Sequence, residues 1–186
     1  MNVDNSVRNR RRLQLILVIA VFAVPAILAT MLGALGWQPG TRSHGQPVTP
    51  QRSVESVDIR LADGGQWAWR DSEPRLSLVA LPGPDCARQC LATLTLMRNA
   101  RITLNKNMDR LRLLYVGTPP RGMPDDRVMR DWTVGTDPAG ALQEFRARGR
   151  DSVAALLVES NGTALVHYPA GFDPNGLRKD LQKVIR

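Results

Sequence analysis

Hydrophobic positions are spread unevenly along the chain. Leu13 to Gly36 is a run of 24 residues without a charge, and Gln14 is its one strongly polar member. About 20 apolar residues carry a helix across a hydrocarbon core of ~30 Å, so 13–36 is expected to be a transmembrane helix. Arg8, Arg10, Arg11 and Arg12 stand before it, and Trp37 follows where an interfacial aromatic would sit. That basic flank predicts a cytoplasmic tail over 1–12 and export of everything beyond the span. Pro25 is tolerated mid-span, because lipid-buried helices re-satisfy the freed carbonyl. The run exceeds the 7–15 residues of a cleaved signal peptide, which favours an uncleaved anchor.

Residues 37–53 carry Pro39, Gly40, Gly45, Pro47 and Pro50 with no apolar period, and read as a linker. His44 falls within it and is given no ligand role. Residues 54–186 remain, 133 in number, enough for one small core. Val54 to Leu61 alternates apolar and polar as a half-buried strand does. Asp63-Gly64-Gly65 turns it, and Trp67-Ala68-Trp69 is expected to return as the second strand of a hairpin. Leu76 to Leu81 is nearly all apolar, a central strand stopped by Pro82-Gly83-Pro84. The period then changes: Leu91, Leu94, Met97, Ile102 and Leu104 keep near-helical spacing between Cys86 and about Asn107. Leu111 to Val116 reads as a buried strand, 117–124 as a Pro/Gly-rich loop, and Pro138 to Arg148 as a second helix with Leu142 and Phe145 inward. Val153 to Val158 is a third buried strand, Asn161-Gly162 a hairpin turn, and Ala164 to Tyr168 the returning strand. Asp173 as N-cap and Pro174 at the first helical position open a last helix with Leu177, Leu181, Val184 and Ile185 on its apolar face.

Strands alternating with helices imply an α/β domain: a central mixed sheet with parallel crossovers, flanked by helices, and an antiparallel edge from the terminal hairpin. This order is the one used by the thioredoxin-like fold.

Composition narrows the function classes. An apolar fraction of 43% is too high for a disordered chain. Two cysteines are too few for a disulfide scaffold, and one long apolar run excludes a multi-span protein. Of the net charge of +8, the tail before the span holds +3, which sets topology, and the rest of the chain holds +5. Arg98, Arg101, Lys106, Arg110 and Arg112 gather around the first helix with Asp109 opposing them. They read as a solvated helix face, with anionic headgroups or an acidic partner as the functional alternative. Nucleic acid is not an expected partner, because the domain is exported and few aromatics are available for stacking.

Chemistry then falls to Cys86 and Cys90. They stand at i and i+4 where a strand, a Pro-Gly-Pro turn and a helix meet, so both sulfurs share one helix face. A helix N-terminus favours thiolate and lowers a cysteine pKa, Arg88 adds to that, and an exported pair meets oxidising conditions. A disulfide closing so short a loop contributes little stability. A redox or metal role is favoured over a purely structural bridge.

The segment Leu78-Val79-Ala80-Leu81-Pro82-Gly83-Pro84-Asp85-Cys86-Ala87-Arg88-Gln89-Cys90 resembles the active-site segment of Sco-type copper chaperones of cytochrome c oxidase assembly. The likeness continues through Leu113 to Arg121 and Leu156 to Gly162, over most of 54–186. The N-terminal layout, with Gly36-Trp37-Gln38-Pro39 and His44-Gly45, is similar to small membrane proteins of bacterial oxidase assembly gene clusters. The resemblance implies a single-pass bacterial inner-membrane protein with a periplasmic thioredoxin-like domain. It implies an accessory role in oxidase assembly or copper delivery, exerted by binding, with oxidase subunits or copper chaperones as partners. The chain departs from the family at Ala87 and Leu91, where proline is usual, and at Arg88 and Gln89, where an Asp is. The family's copper-binding histidine lies just before the strand at Val153, where this chain reads Gly149-Arg150-Asp151-Ser152. His167 is the one histidine that could replace it: pairing the last strands about Asn161-Gly162 is expected to place it opposite Ala154 or Val153. The implied metal set is then Cys86, Cys90 and His167. The alternatives are a periplasmic thiol–disulfide oxidoreductase using Cys86 and Cys90 as catalytic residues, and an interaction protein with a static disulfide. Against the oxidoreductase stands the absence of any proline between Ala139 and Tyr168, where the fold's enzymes carry a cis-proline.

Overall fold

The computed structural model describes residues 3–34, 43–119 and 128–185, and the chain divides into two units, Met1–Arg42 and Ser43–Arg186. The described residues of the first unit form helix α1, Val3–Ala34, with Pro25 inside it. Ile16, Val18, Val21, Phe22, Leu28 and Met31 on it are exposed. α1 runs through the stretch expected to span a membrane, yet among the described residues no helix is long and apolar enough to cross one. The end of that stretch and Trp37 lie outside the described residues.

The second unit is built on one seven-stranded sheet of order β1-β7-β6-β3-β4-β5-β2. The strands are β1 Gln46–Ser53, β2 Arg60–Leu61, β3 Leu76–Pro82, β4 Leu111–Val116, β5 Thr133–Thr136, β6 Val153–Val158 and β7 Thr163–Tyr168. At the centre β3 runs parallel to β4, with Leu78 beside Leu113, and antiparallel to β6, with Pro82 beside Val153. β3 and β6 are buried along their whole length, which is why they read as nearly continuous apolar runs. Helices α2, Arg88–Ile102, and α3, Pro174–Val184, complete the unit.

Alternation along the strands sorts side chains to two faces. Leu78, Ala80, Leu113, Tyr115, Ala155 and Leu157 form one core layer with Cys90, Leu94 and Met97 of α2 and Leu177 and Leu181 of α3. Val79, Leu81, Leu114, Val116, Leu156 and Val158 form the other, closed by Val54, Ile59, Trp69, Leu142 and Phe145. Burying a Leu or Val side chain contributes ~1.5–3 kcal/mol, so both layers matter to stability.

The thioredoxin-like mixed sheet is present, and several expected elements differ. The supposed linker over 37–53 carries β1 from Gln46, paired antiparallel with β7, while 37–42 lie outside the described residues. Five of its eight residues are polar and two are proline, so no apolar period marks it. The strand expected over Val54–Leu61 shrinks to β2. Val54 and Ile59 are buried through a turn, in which the Val57 N–H donates to the Val54 carbonyl. Trp67–Trp69 forms no strand; the Trp69 Nε1–H donates to the Val57 carbonyl at 2.8 Å and pins the ring in the core. The helix expected over Pro138–Arg148 is only a 3-10 turn, Gln143–Phe145. Gly140 at φ +67 turns the chain, and the Asp137 carboxylate accepts from the Leu142 N–H at 2.8 Å, closing a loop instead. Arg146 then extends to donate to the Pro82 and Val116 carbonyls at 3.1 and 3.0 Å. α2 stops at Ile102, and a 3-10 turn, Asn105–Arg110, follows. Much of the loop expected at 117–124 lies outside the described residues.

Candidate functional site

The site is built where the C-terminal end of β3 meets α2. Pro82 ends β3, and Gly83 lies against the loop 149–152 that leads into β6. The Gly83 N–H donates to the Ser152 carbonyl at 2.8 Å and the Asp85 N–H to the Arg150 carbonyl at 3.0 Å. The approach is so close that a Cβ on Gly83 would stand 1.9 Å from the Gly149 carbonyl oxygen. The Arg150 Nε donates back to Asp85 at 2.8 Å. Two loops from distant parts of the sequence are thereby zipped together across the cysteine segment.

α2 begins without a cap of its own. Its N-cap position is Ala87, which has no side-chain oxygen, and the first N–H groups of a helix need acceptors. Asp151 supplies them from the other loop. Its Oδ1 accepts from the Ala87 and Cys90 N–H groups at 2.8 and 3.0 Å, and its Oδ2 from the Gln89 N–H at 2.9 Å. These bonds hold the carboxyl below the usual aspartate range: the Cys90 N–H is the largest cause and the Gln89 N–H the next, against an opposing push from burial.

Cys86 and Cys90 form a disulfide, with Cα atoms 5.2 Å apart. Cys90 is fully buried in the α2 core layer, whereas Cys86 is half-buried at its edge. Cys90 thus offers no surface to an incoming thiolate, which leaves Cys86 as the member of the pair with exposed area.

His167 is not brought to this pair. It pairs with Leu156, not with Ala154 or Val153, because the tight turn at Asn161-Gly162 starts the ladder at Val158 and Ala164 with an irregularity just after it. Leu156 belongs to the layer on the far side of the sheet from α2. His167 shares that side, where its ring stacks edge-on to Phe145 at 5.4 Å and its Nε2 lies 3.0 Å from the Phe145 carbonyl oxygen. The place before β6, where the Sco-type histidine would lie, holds Asp151, whose two oxygens are occupied by backbone N–H groups. Among the described residues no group of three or more His, Cys, Asp or Glu could hold a metal ion. The residues present thus do not fit a Cys-Cys-His copper site in this arrangement.

The expected basic face does not form as one patch. Arg98 pairs with Asp131, and the Arg101 Nε donates to the Leu111 carbonyl at 2.7 Å. Arg112 turns inward, donating to Ser77 Oγ at 3.0 Å, with its guanidinium 4.4 Å from the centre of the Trp67 ring. These cations brace the sheet. The residue to which the sequence reading gave no role is Asp151; the one signal available for it is that Ala87, at the N-cap position, has no side-chain oxygen to cap α2.

The comparisons agree with this architecture. The apo Sco1 protein of Thermus thermophilus superposes with a TM-score of 0.54 at 18% identity, covering 78% of this chain and 99% of that one. Copper-bound yeast Sco1 gives 0.53 at 14%, covering 78% and 94%. Copper-bound ScoI of Arabidopsis thaliana gives 0.51 at 13%, covering 76% and 98%. No curated protein matches the sequence. At these identities the likeness shows a shared fold and nothing more. The family model described as "transmembrane-like, thioredoxin-like, C-terminal domain" matches residues 77–186, more than half of the chain, and the protein belongs to that family.

Proposed function

We propose that this protein is an accessory factor of cytochrome c oxidase assembly, anchored in the bacterial inner membrane through residues 13–36. Its thioredoxin-like domain faces the periplasm and acts by binding a partner at the β3–α2 junction. The observation that carries this reading is the Cys86–Cys90 disulfide at that junction of a Sco-like fold, with Cys86 half-buried and Cys90 fully buried. The pair supplies a redox-dependent contact, without a resident copper ion in the chemistry. The same half-open geometry supports a second reading, thiol–disulfide exchange with a partner protein, in which the Cys86 sulfur is attacked and Cys90 leaves.

The test is capture of the full chain from detergent-solubilised membranes, as wild type and as Cys86→Ser. Oxidase subunits are expected with the wild type and several-fold less with the variant. With Cys90→Ser, Cys86 keeps its thiol and loses its resolving partner. A partner held by a bond that dithiothreitol releases then supports exchange. Recovery of neither oxidase subunits nor a copper protein overturns the assembly reading.

A further inference from the structure

We propose that Asp151 is a positioning residue that biases Cys86 and Cys90 toward the disulfide. The inference rests on that pair being the working centre of the site. In a thioredoxin-like junction the N-terminal N–H groups of the helix face the cysteines and stabilise negative charge on sulfur. Here three of those groups, on Ala87, Gln89 and Cys90, are already engaged by one carboxylate at 2.8–3.0 Å. The helix end is neutralised by an oxygen anion before a sulfur anion can use it. Cys90 shares its own N–H with that carboxylate and is fully buried, so water does not compensate.

The consequence is redox bias. Reduction by an external dithiol transfers two electrons and two protons: the Cys86–Cys90 bond breaks, two thiols form, and the dithiol closes to its own disulfide. In its first step a thiolate bonds to Cys86 Sγ and Cys90, whose backbone N–H the Asp151 carboxylate already holds at 3.0 Å, departs as a thiolate. The carboxylate opposes that departure, and by holding the helix N–H groups it also removes the thiolate stabilisation that would otherwise favour the reduced form, so both the path and the equilibrium shift toward the disulfide. Arg88 does not reverse this, because its side chain is exposed to solvent, whereas the Asp151 bonds are direct.

The experiment equilibrates the full chain, purified in detergent, with dithiothreitol couples of defined ratio near neutral pH. The forms compared are wild type, Asp151→Asn, Asp151→Ser and Asp151→Glu. Serine keeps a neutral capping oxygen, so it separates charge from helix support should the asparagine form fold poorly. Asn and Ser are expected to shift the equilibrium about tenfold toward the dithiol, ~30 mV for a two-electron couple, and to speed reduction. Glu is expected to stay nearer the wild type. If both neutral forms keep the wild-type equilibrium within twofold, while oxidised and reduced protein lose thermal stability equally, Asp151 is only a cap and the proposal is overturned. The measurement needs no oxidase, so it fails or holds independently of the partner capture above.

Discussion

At the scale of single residues, a second carboxylate is as firmly held as Asp151. Asp180 on α3 is 5% exposed, and its Oδ2 accepts from the His44 N–H at 2.7 Å, Ser43 Oγ at 3.1 Å and the Tyr168 hydroxyl at 3.2 Å. His44 Nδ1 lies 3.2 Å from its other oxygen. Burial alone would raise the Asp180 pKa; the bonds from His44, Ser43 and Tyr168 outweigh it and leave the group below the usual value. A depressed folded pKa means stability that is present above the unfolded carboxylate value of ~3.9 and is lost as pH falls through the folded value. Asp180→Asn removes charge-assisted bonds worth about 1.5–3 kcal/mol. Thermal unfolding from pH 7 to pH 3 should show the wild type losing stability below about pH 4. The asparagine form should start lower and lose less, its remaining slope coming from groups such as Asp151. An identical acid slope in both would remove Asp180 from the account. None of this was legible in the sequence, because hydrophobic pattern identifies Leu177 and Leu181 but cannot say what a charged residue between them meets, and His44 sat in apparent linker.

At the scale of elements, legibility followed burial. β3, β4 and β6 were readable because burial leaves nearly continuous apolar runs, broken only by Ser77 and Arg112, and α3 because Asp173 caps it, accepting from the Asn175 and Gly176 N–H groups. β1 was missed because an exposed edge strand needs no apolar alternation, and β5 because four residues, Thr133–Thr136, are too few to show a period. The false helix at 138–148 had its apolar residues right, but a carboxylate–backbone bond at Asp137 decided the backbone. The cysteine pair was visible from its place after a strand; its neighbour Asp151 was not, since it lies 61 residues from Cys90 in sequence. The element contact that joins them is Gly83 against Gly149. Gly83→Ala must push the two loops apart, at a cost of about 1–3 kcal/mol for overpacking, and it loosens the Asp151 cap on α2. The expected outcome is a lower melting temperature together with faster reduction of Cys86–Cys90 by dithiothreitol. A lower melting temperature with an unchanged reduction rate would show that the zipped loops do not govern access to the disulfide.

At the scale of the whole molecule, the issue is where the folded unit starts. The hydrophobic pattern puts the boundary at Val54, whereas the structure puts it at Ser43. The difference is one strand and one clasp. β1 covers β7 through the pairs Gln46–His167 and Ser53–Thr163, and Ser43 and His44 tie the segment ahead of it to Asp180. Removing 43–53 would uncover the edge of β7, exposing unpaired N–H and carbonyl groups that invite pairing with another chain. It would also leave the Asp180 carboxylate buried without the three contacts it receives from Ser43 and His44, a cost of roughly 1–3 kcal/mol for the unsatisfied group. A soluble fragment of 43–186 is therefore expected to unfold in a single cooperative transition and to remain monomeric. A fragment of 54–186 should melt several degrees lower, since about 1 kcal/mol shifts a domain of this size by ~2–4 °C, and should self-associate at rising concentration. Scanning calorimetry with sedimentation on both fragments reads this directly. Equal melting temperatures and two monomers would mean that β1 is an ornament on the sheet and that the working domain begins at Val54 after all.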